Sequence, residues 1–347
     1  MDEAFSGVYY ESNDKNINNL TINTAGMPYY KTEFIIDNYS DILDEKTKQQ
    51  IRNLGVHGRH FARPMGSVPP FNDRETHREH LLEVGKQCML STSLDIDNLI
   101  VASEIADYQT PGLAPTLLNP LRISKFAPAF NLQGTACSSM PRCIELARKL
   151  PGNTLCIIDG ITSDIYQSEL MKTPKDYEQK SEEWVKIMFG FLFGDATAAF
   201  IVSEDTSGKT YKIGRQAHVM NLDLHDYRSA AVRRNDGRFS LSANANVLNN
   251  ALAYTDVVLT KLGIEEFGQY ERIILHTGSQ KIINGYLDKY SLTFPQIEGS
   301  KSVLSEYGNT TGCSLPLVLN QKEFIGEGLM IGITMGFGVD IVEIKGI

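Results

Sequence analysis

Short apolar runs alternate along this chain with stretches in which apolar residues recur every three or four positions. LDIDNLIVASEI (94–105) reads as a helix end, a turn and a buried strand, and NTLCIIDGI (153–161) as a central strand. DATAAFIVSE (195–204), YKIGRQAHVM (211–220) and ERIILHTG (271–278) also read as strands, the last running into His276. GLMIGITMGFGVDIVEIKGI (328–347) reads as two strands around a glycine turn. NVLNNALAYTDVVLTKLGI (246–264) has helical spacing, and in PRCIELARKL (141–150) Ile144, Leu146, Ala147 and Leu150 make an apolar helix face. Strands that are apolar throughout belong to sheets buried on both faces. Strands and helices in alternation predict an α/β fold.

A weak internal echo refines this picture. Residues 79–103 and residues 249–276 each run helix, acidic-apolar turn and buried strand. Two related halves are expected, 1–205 and 206–347, divided at the polar, turn-like EDTSGKT near 205–211. The charge-rich stretch 164–184 is expected as an exposed insertion, cap or partner-facing loop.

Charge and cysteine content then exclude several classes. The 347 residues carry a net charge of −9, which argues against nucleic acid or an anionic membrane as a main partner. Five cysteines without framework spacing argue against a disulfide scaffold, and no pair has zinc-ligand spacing, so no metal is expected. The first residues are acidic and polar, unlike a signal peptide, and no apolar run reaches membrane-spanning length. A cytoplasmic protein is expected. No G-x-G-x-x-G or Walker pattern opens a helix, so dinucleotide and nucleoside triphosphate binding have no support.

Three residues stand out as candidate chemistry. Cys137 in NLQGTACSSMPRCIELARKL follows small residues and precedes a helix that Pro141 suits in its first turn. Unpaired amides and the positive end of a helix there would stabilise a thiolate; the alternative is a buried packing thiol. His276 stands at the C-terminal end of a strand before a glycine-containing loop, where sites in α/β sheets collect. Asn309 lies in the tight polar turn EYGNTTGCSLP. His57, His60, His77, His80, His218 and His225 fit a site less well, lying among polar or charged neighbours.

Taken together, TACSS, FGDATAA (193–199), HTGSQKII (276–283), YGNTTGCSLPL (307–317) and MGFGVD (335–340) resemble, in order, the motifs of thiolase-fold condensing enzymes. The likeness runs to beta-ketoacyl-ACP synthase III and to the chalcone-synthase-like type III polyketide synthases. It implies two pseudo-repeated α/β halves in an αβαβα layered core. It also implies a Cys137, His276, Asn309 catalytic set, with backbone amides at Cys137, Phe337 and Gly338 as the oxyanion site. Phe193 would line the acyl pocket, and Lys281 would face a phosphopantetheine or carrier-protein phosphate. The implied substrates are acyl-CoA and malonyl-CoA or acyl carrier protein thioesters, with no further cofactor. The implied assembly is a homodimer, with a heterodimer as the alternative. Formation of an ester or amide, and a non-catalytic partner subunit, remain open readings. Ala196 and Pro141 depart from the family's pattern, and residues 1–45 match it poorly.

Overall fold

The unbroken apolar runs become the strands of one large sheet. In the computed structural model, residues 9–10, 15–65, 76–104, 111–171, 173–206, 210–222, 230–235, 238–243 and 246–347 are described. In chain order the strands are β1 (Tyr9–Tyr10), β2 (Asn16–Asn23), β3 (Tyr29–Lys31), β4 (Gly58–His60), β5 (Asn98–Ala102), β6 (Ala129–Leu132), β7 (Thr154–Asp159), β8 (Thr197–Ser203), β9 (Thr210–Met220), β10 (Ala230–Asn235), β11 (Arg238–Ala243), β12 (Arg272–Leu275), β13 (Gly326–Thr334) and β14 (Gly338–Gly346). The α-helices are α1 (Thr32–Asn38), α2 (Glu45–Arg52), α3 (Thr76–Leu90), α4 (Leu113–Leu118), α5 (Ser139–Ala147), α6 (Ser163–Met171), α7 (Glu182–Leu192), α8 (Val247–Leu262), α9 (Gln280–Lys289), α10 (Phe294–Tyr307) and α11 (Ser314–Gln321).

The large sheet has the order β12-β13-β14-β9-β2-β8-β7-β5-β6, with β1 paired to β9. Residues 16–203 supply the run from β2 to β6, and residues 210–346 supply β9 to β12. Among the described residues the two runs join where Asn16, Ile17 and Asn18 of β2 pair with Lys212, Tyr211 and Thr210 of β9, and β1 adds Tyr9 and Tyr10 opposite Ala217 and Gln216 of β9.

Strand alternation sorts the side chains into layers. Leu99, Val101, Leu155, Ile157, Ala199 and Ile201 face outward and pack against Leu81, Val84 and Cys88 of α3 and Leu113, Ala114 and Leu117 of α4. Their neighbours Ile100, Ala102, Cys156, Ile158, Ala198 and Phe200 face the other way. They meet Met140, Cys143 and Ile144 of α5 and Leu315, Leu317 and Val318 of α11. The same middle layer receives Ile274, Met330 and Val342 from the second run of strands. The opposite face of that run, with Ile273, Leu275, Leu329 and Ile331, packs on α8 and α9. The result is the αβαβα sandwich.

Two local sequences around the middle layer are copies of one another. A 3-10 turn at Ala136–Ser138 leads into α5, and a 3-10 turn at Thr311–Cys313 leads into α11. Ala136 and Thr311 both open their turns with positive φ, 36° and 48°. ACSSMP (136–141) thereby matches TGCSLP (311–316), and Pro141 matches Pro316. Each proline is the third helical residue, whose N–H would have no intrahelical acceptor. Pro141 is thus the mark of a repeated helix start. At the other end of α5, the buried Lys15 ammonium donates to the carbonyls of Ala147, Leu150 and Gly152 at 3.2, 2.6 and 3.0 Å.

The stretch 164–184 is not the exposed insertion that its charge suggests. Its first third is helix α6, with Ile165, Tyr166, Gln167, Glu169 and Leu170 buried. Leu170 packs with Ile187 and Phe191 of α7, while Ile165 and Tyr166 join the core over α8. Only the segment from Pro174 to Glu183 carries its charges largely to the surface.

Candidate active site

Cys137 is held by the 3-10 turn that follows β6, at the C-terminal edge of the parallel strands β5, β6 and β7. Its side chain is buried. The turn is tied to both halves. Thr334, the last residue of β13, donates its hydroxyl to Thr135 O at 3.4 Å. Gly312 of the second turn lies so close that a Cβ there would stand 2.7 Å from Ser139 Oγ. Only glycine permits that approach.

His276 follows β12, and its amide continues the ladder to Ile331 O at 3.0 Å. The ring is buried, and no group among the described residues pairs with Nδ1. Burial without a carboxylate pushes its pKa down to about 3, so the imidazole is neutral at physiological pH. The next residue, Thr277, donates its hydroxyl to Gly308 O at 3.4 Å and shares a hydrogen bond with the Ser314 hydroxyl at 2.8 Å, which locks the His276 loop to the segment carrying Asn309.

Asn309 is buried and forms an isolated parallel bridge with Phe193. Its amide donates to Leu192 O at 2.9 Å, and its carbonyl accepts from Gly194 N at 3.2 Å. Its Oδ1 accepts from Thr311 N at 2.9 Å. With that oxygen committed, the Nδ2 group is the end that can donate to a ligand. Gly194 of FGDATAA has its reason here: a Cβ would collide with the carbonyl of Tyr307. Asp195 beside it is fully buried and accepts from Ala62 N, Thr162 N and Ser163 N at 2.7 to 2.9 Å and from Ser163 Oγ at 2.5 Å. Burial still raises its pKa to about 6.

A ring stack links the Asn309 bridge to Tyr166. Phe193 stacks on Tyr166 with centroids 4.1 Å apart, and Phe189 closes on Tyr166 edge-on at 5.7 Å. The Tyr166 hydroxyl is pushed up by burial, with the Cys137 and Glu104 charges adding to the effect. Tyr166, Phe193 and Asn309 are therefore successive neighbours, and Thr277 joins His276 to the same segment. Phe337 and Gly338 lie in the hairpin between β13 and β14, where the Gly336–Phe337 peptide is cis. Phe337 is buried against Tyr254, and Gly338 pairs with Met220 in the ladder to β9. Lys281 is exposed on the first turn of α9. His225 lies outside the described residues.

The electrostatics at Cys137 differ from the expectation of a thiolate stabilised by a helix end. Burial pushes the thiol pKa up, and the Glu104 charge pushes it further. Glu104 carries no recognised motif. Its signal is positional: like His276, it stands just past the end of an apolar strand. Tyr166 is hidden within a charged stretch, and His77, on α3, is buried with Nδ1 2.7 Å from Asp159 and Nε2 3.4 Å from Asp164. Glu145, His218 and Asp340 bring ligand-type atoms within 4.8 Å of one another. Arg142 already pairs with Asp340 at 2.9 Å and Glu145 at 3.1 Å, so that cluster is an ion-pair network.

In sequence and in fold the chain is similar to thiolase-fold condensing enzymes. Sequence similarity within that class runs to two branches. The chain is 24% identical to a beta-ketoacyl-[acyl-carrier-protein] synthase III of Acholeplasma laidlawii over 92% of this chain and 96% of that protein. It is 22% identical to the phloroglucinol synthase of Pseudomonas fluorescens over 76% of each. Among solved structures, the 1,3,6,8-tetrahydroxynaphthalene synthase of Streptomyces coelicolor superposes with a TM-score of 0.80 at 16% identity, covering 95% of this chain and 99% of that one. A fungal type III polyketide synthase gives 0.79 at 15% identity, with 96% and 100% covered. No family model matches the chain.

Proposed function

We propose that the protein is an acyltransferase that joins an acyl thioester to a malonyl-type thioester by decarboxylative Claisen condensation. What supports this reading is that Cys137 of one half and His276 and Asn309 of the other are all buried, that Thr277 ties the His276 loop to the segment carrying Asn309, and that the turn after Asn309 abuts the Cys137 turn at Gly312 and Ser139. In the first step the Cys137 sulfur attacks the acyl carbonyl. The carbon–sulfur bond to the carrier breaks, and the thiol proton ends on the departing carrier thiol. Amides at Cys137 and at Phe337 and Gly338 would hold the tetrahedral oxyanion.

In the second step His276 and Asn309 Nδ2 donate to the thioester carbonyl of the malonyl group. Carbon dioxide leaves, and its bonding pair becomes the enolate that those donors stabilise. A neutral histidine suits this role, because it donates without burying a charge. The enolate carbon attacks acyl-Cys137, forming the carbon–carbon bond and releasing the sulfur. Every step moves electrons within thioester and carboxylate groups and consumes no redox equivalent. Coenzyme A or phosphopantetheine thioesters are the substrates, Phe193 borders the acyl group, and a dimer of identical chains is the acting form.

Intact mass spectrometry after mixing with a panel of short acyl-CoA thioesters tests the first step. One acyl group is expected on the wild type and none on Cys137→Ala. An acyl adduct on Cys137→Ala, or none on either protein, removes the nucleophile assignment. Adding malonyl-CoA and analysing products separates ketone formation from ester or amide formation.

A further inference from the structure

The ends of β5 and β6 lie side by side, with Ala102 opposite Leu132 and Ser103 N donating to Leu132 O at 3.0 Å. The next residue on the β5 side is Glu104. Its Oε2 accepts the Gly134 amide at 3.0 Å, and its Oε1 accepts the Ala136 amide. Both donors are in left-handed conformation, Gly134 at φ 75° and Ala136 at φ 36°. One carboxylate thus holds two residues of left-handed backbone in the turn before Cys137, of which Ala136 is the strained one. It also occupies the amides that would otherwise face an anion at the start of this turn.

We propose that Glu104 is a positioning residue for the nucleophile: its carboxylate clamps the Cys137 turn through the Gly134 and Ala136 amides, and its negative charge adds to burial in holding the sulfur as a thiol between turnovers. The proposal rests on the reading of Cys137 as acyl acceptor. A thiol held this way is slow toward adventitious electrophiles and reacts when the bound thioester supplies the amide-stabilised oxyanion and a leaving thiolate for the proton. The other titratable groups around the turn do not supply this charge. Tyr166 on α6 is un-ionised because burial raises it. His276 beyond β12 is neutral. Cys313 on the second turn is raised by burial and by Asp159 and Asp195. Asp159 at the end of β7 faces Glu104, pairing with His77 and accepting from Ser103. Asp340 on β14, beyond Ser138, is paired with Arg142 of α5.

The test is the rate of Cys137 alkylation by iodoacetamide, followed by peptide mapping, from about pH 6 to about pH 10. Glu104→Gln removes the charge and keeps an amide-accepting oxygen, whereas Glu104→Asp keeps the charge and withdraws the clamp. Glu104→Gln is expected to move the midpoint down by about one pH unit, making alkylation at neutral pH about tenfold faster. Glu104→Asp is expected to keep the wild-type midpoint while lowering the melting temperature. A purely structural residue would leave Glu104→Gln, which keeps the acceptor oxygen, at the wild-type rate at neutral pH. The proposal is overturned if Glu104→Gln superposes on wild type, or if Glu104→Asp shifts as far as Glu104→Gln. It is also overturned, whatever the variants do, if wild-type Cys137 titrates at or below the ordinary thiol value. Shifted alkylation profiles in a protein that takes no acyl group from any thioester would leave Glu104 in this role and remove the condensing-enzyme reading.

Discussion

At the scale of the residue, the site is governed by burial more than by formal charge. His276 is the clearest case. Its ordinary pKa of 6.5 falls to about 3 because the folded protein gives the imidazolium neither water nor a carboxylate. Between those values the unfolded chain binds a proton that the native state refuses. The neutral histidine's contribution to stability is therefore complete above about pH 6.5 and is lost as the pH falls toward 3. Replacing His276 with asparagine removes this group from the balance. Melting temperatures measured from neutral to mildly acid pH should fall more steeply for wild type than for His276→Asn. Parallel curves would show that the ring is hydrated or paired in solution.

At the scale of the element, a single buried side chain can end a helix as firmly as a glycine. Lys15 sits before β2, yet from more than a hundred residues away it holds the last carbonyl of α5, Ala147 O, and two carbonyls of the turn that follows. Lys15→Met keeps much of the aliphatic stem and removes the ammonium donor from the three carbonyls, of which Ala147 O retains the Leu150 amide. The expected loss is about 1–3 kcal/mol in denaturant unfolding. A loss indistinguishable from zero would mean that water takes the ammonium's place. This contact also marks where sequence reading stops. The strands at 98–102, 154–159, 197–203 and 272–275 were legible because each is apolar on both faces. The helix α6 was not, since its charges at Asp164 and Glu169 outweighed the i, i+4 pair Tyr166 and Leu170 that turns it inward. Asp164 and Glu169 are partnered in the fold by His77 and Lys186. Pairing of that kind depends on residues distant in the chain. Cys137, His276 and Asn309 could be named because short motifs surround them; Glu104 and Tyr166, their neighbours in space, have no such motif.

At the scale of the whole molecule, the two runs of strands share little direct pairing but one common layer. Among the described residues, three residues of β2 pair with three of β9, and Tyr9 and Tyr10 of β1 add to that pairing. The helices α5 and α11, by contrast, pack between both runs, with Ile100 and Phe200 on one side and Ile274 and Met330 on the other. Neither half can lose its sheet without exposing that shared layer, whose side chains are almost wholly apolar. The two turns that begin α5 and α11 also touch through Gly312 and Ser139, so the Cys137 turn is part of the seam. The halves should therefore unfold together, although a chain of 347 residues is long enough for stable intermediates. The only tryptophan, Trp184 on α7, donates to Gln50 at 3.0 Å and packs against a core to which both halves contribute, so it reports on the first half and on its packing with the second. Far-ultraviolet circular dichroism reports on both halves. Denaturant curves followed by Trp184 fluorescence and by circular dichroism should coincide. A fluorescence transition that precedes the loss of ellipticity would show that the first half comes apart alone, and that α11 and the strands from β9 to β14 hold a core without it.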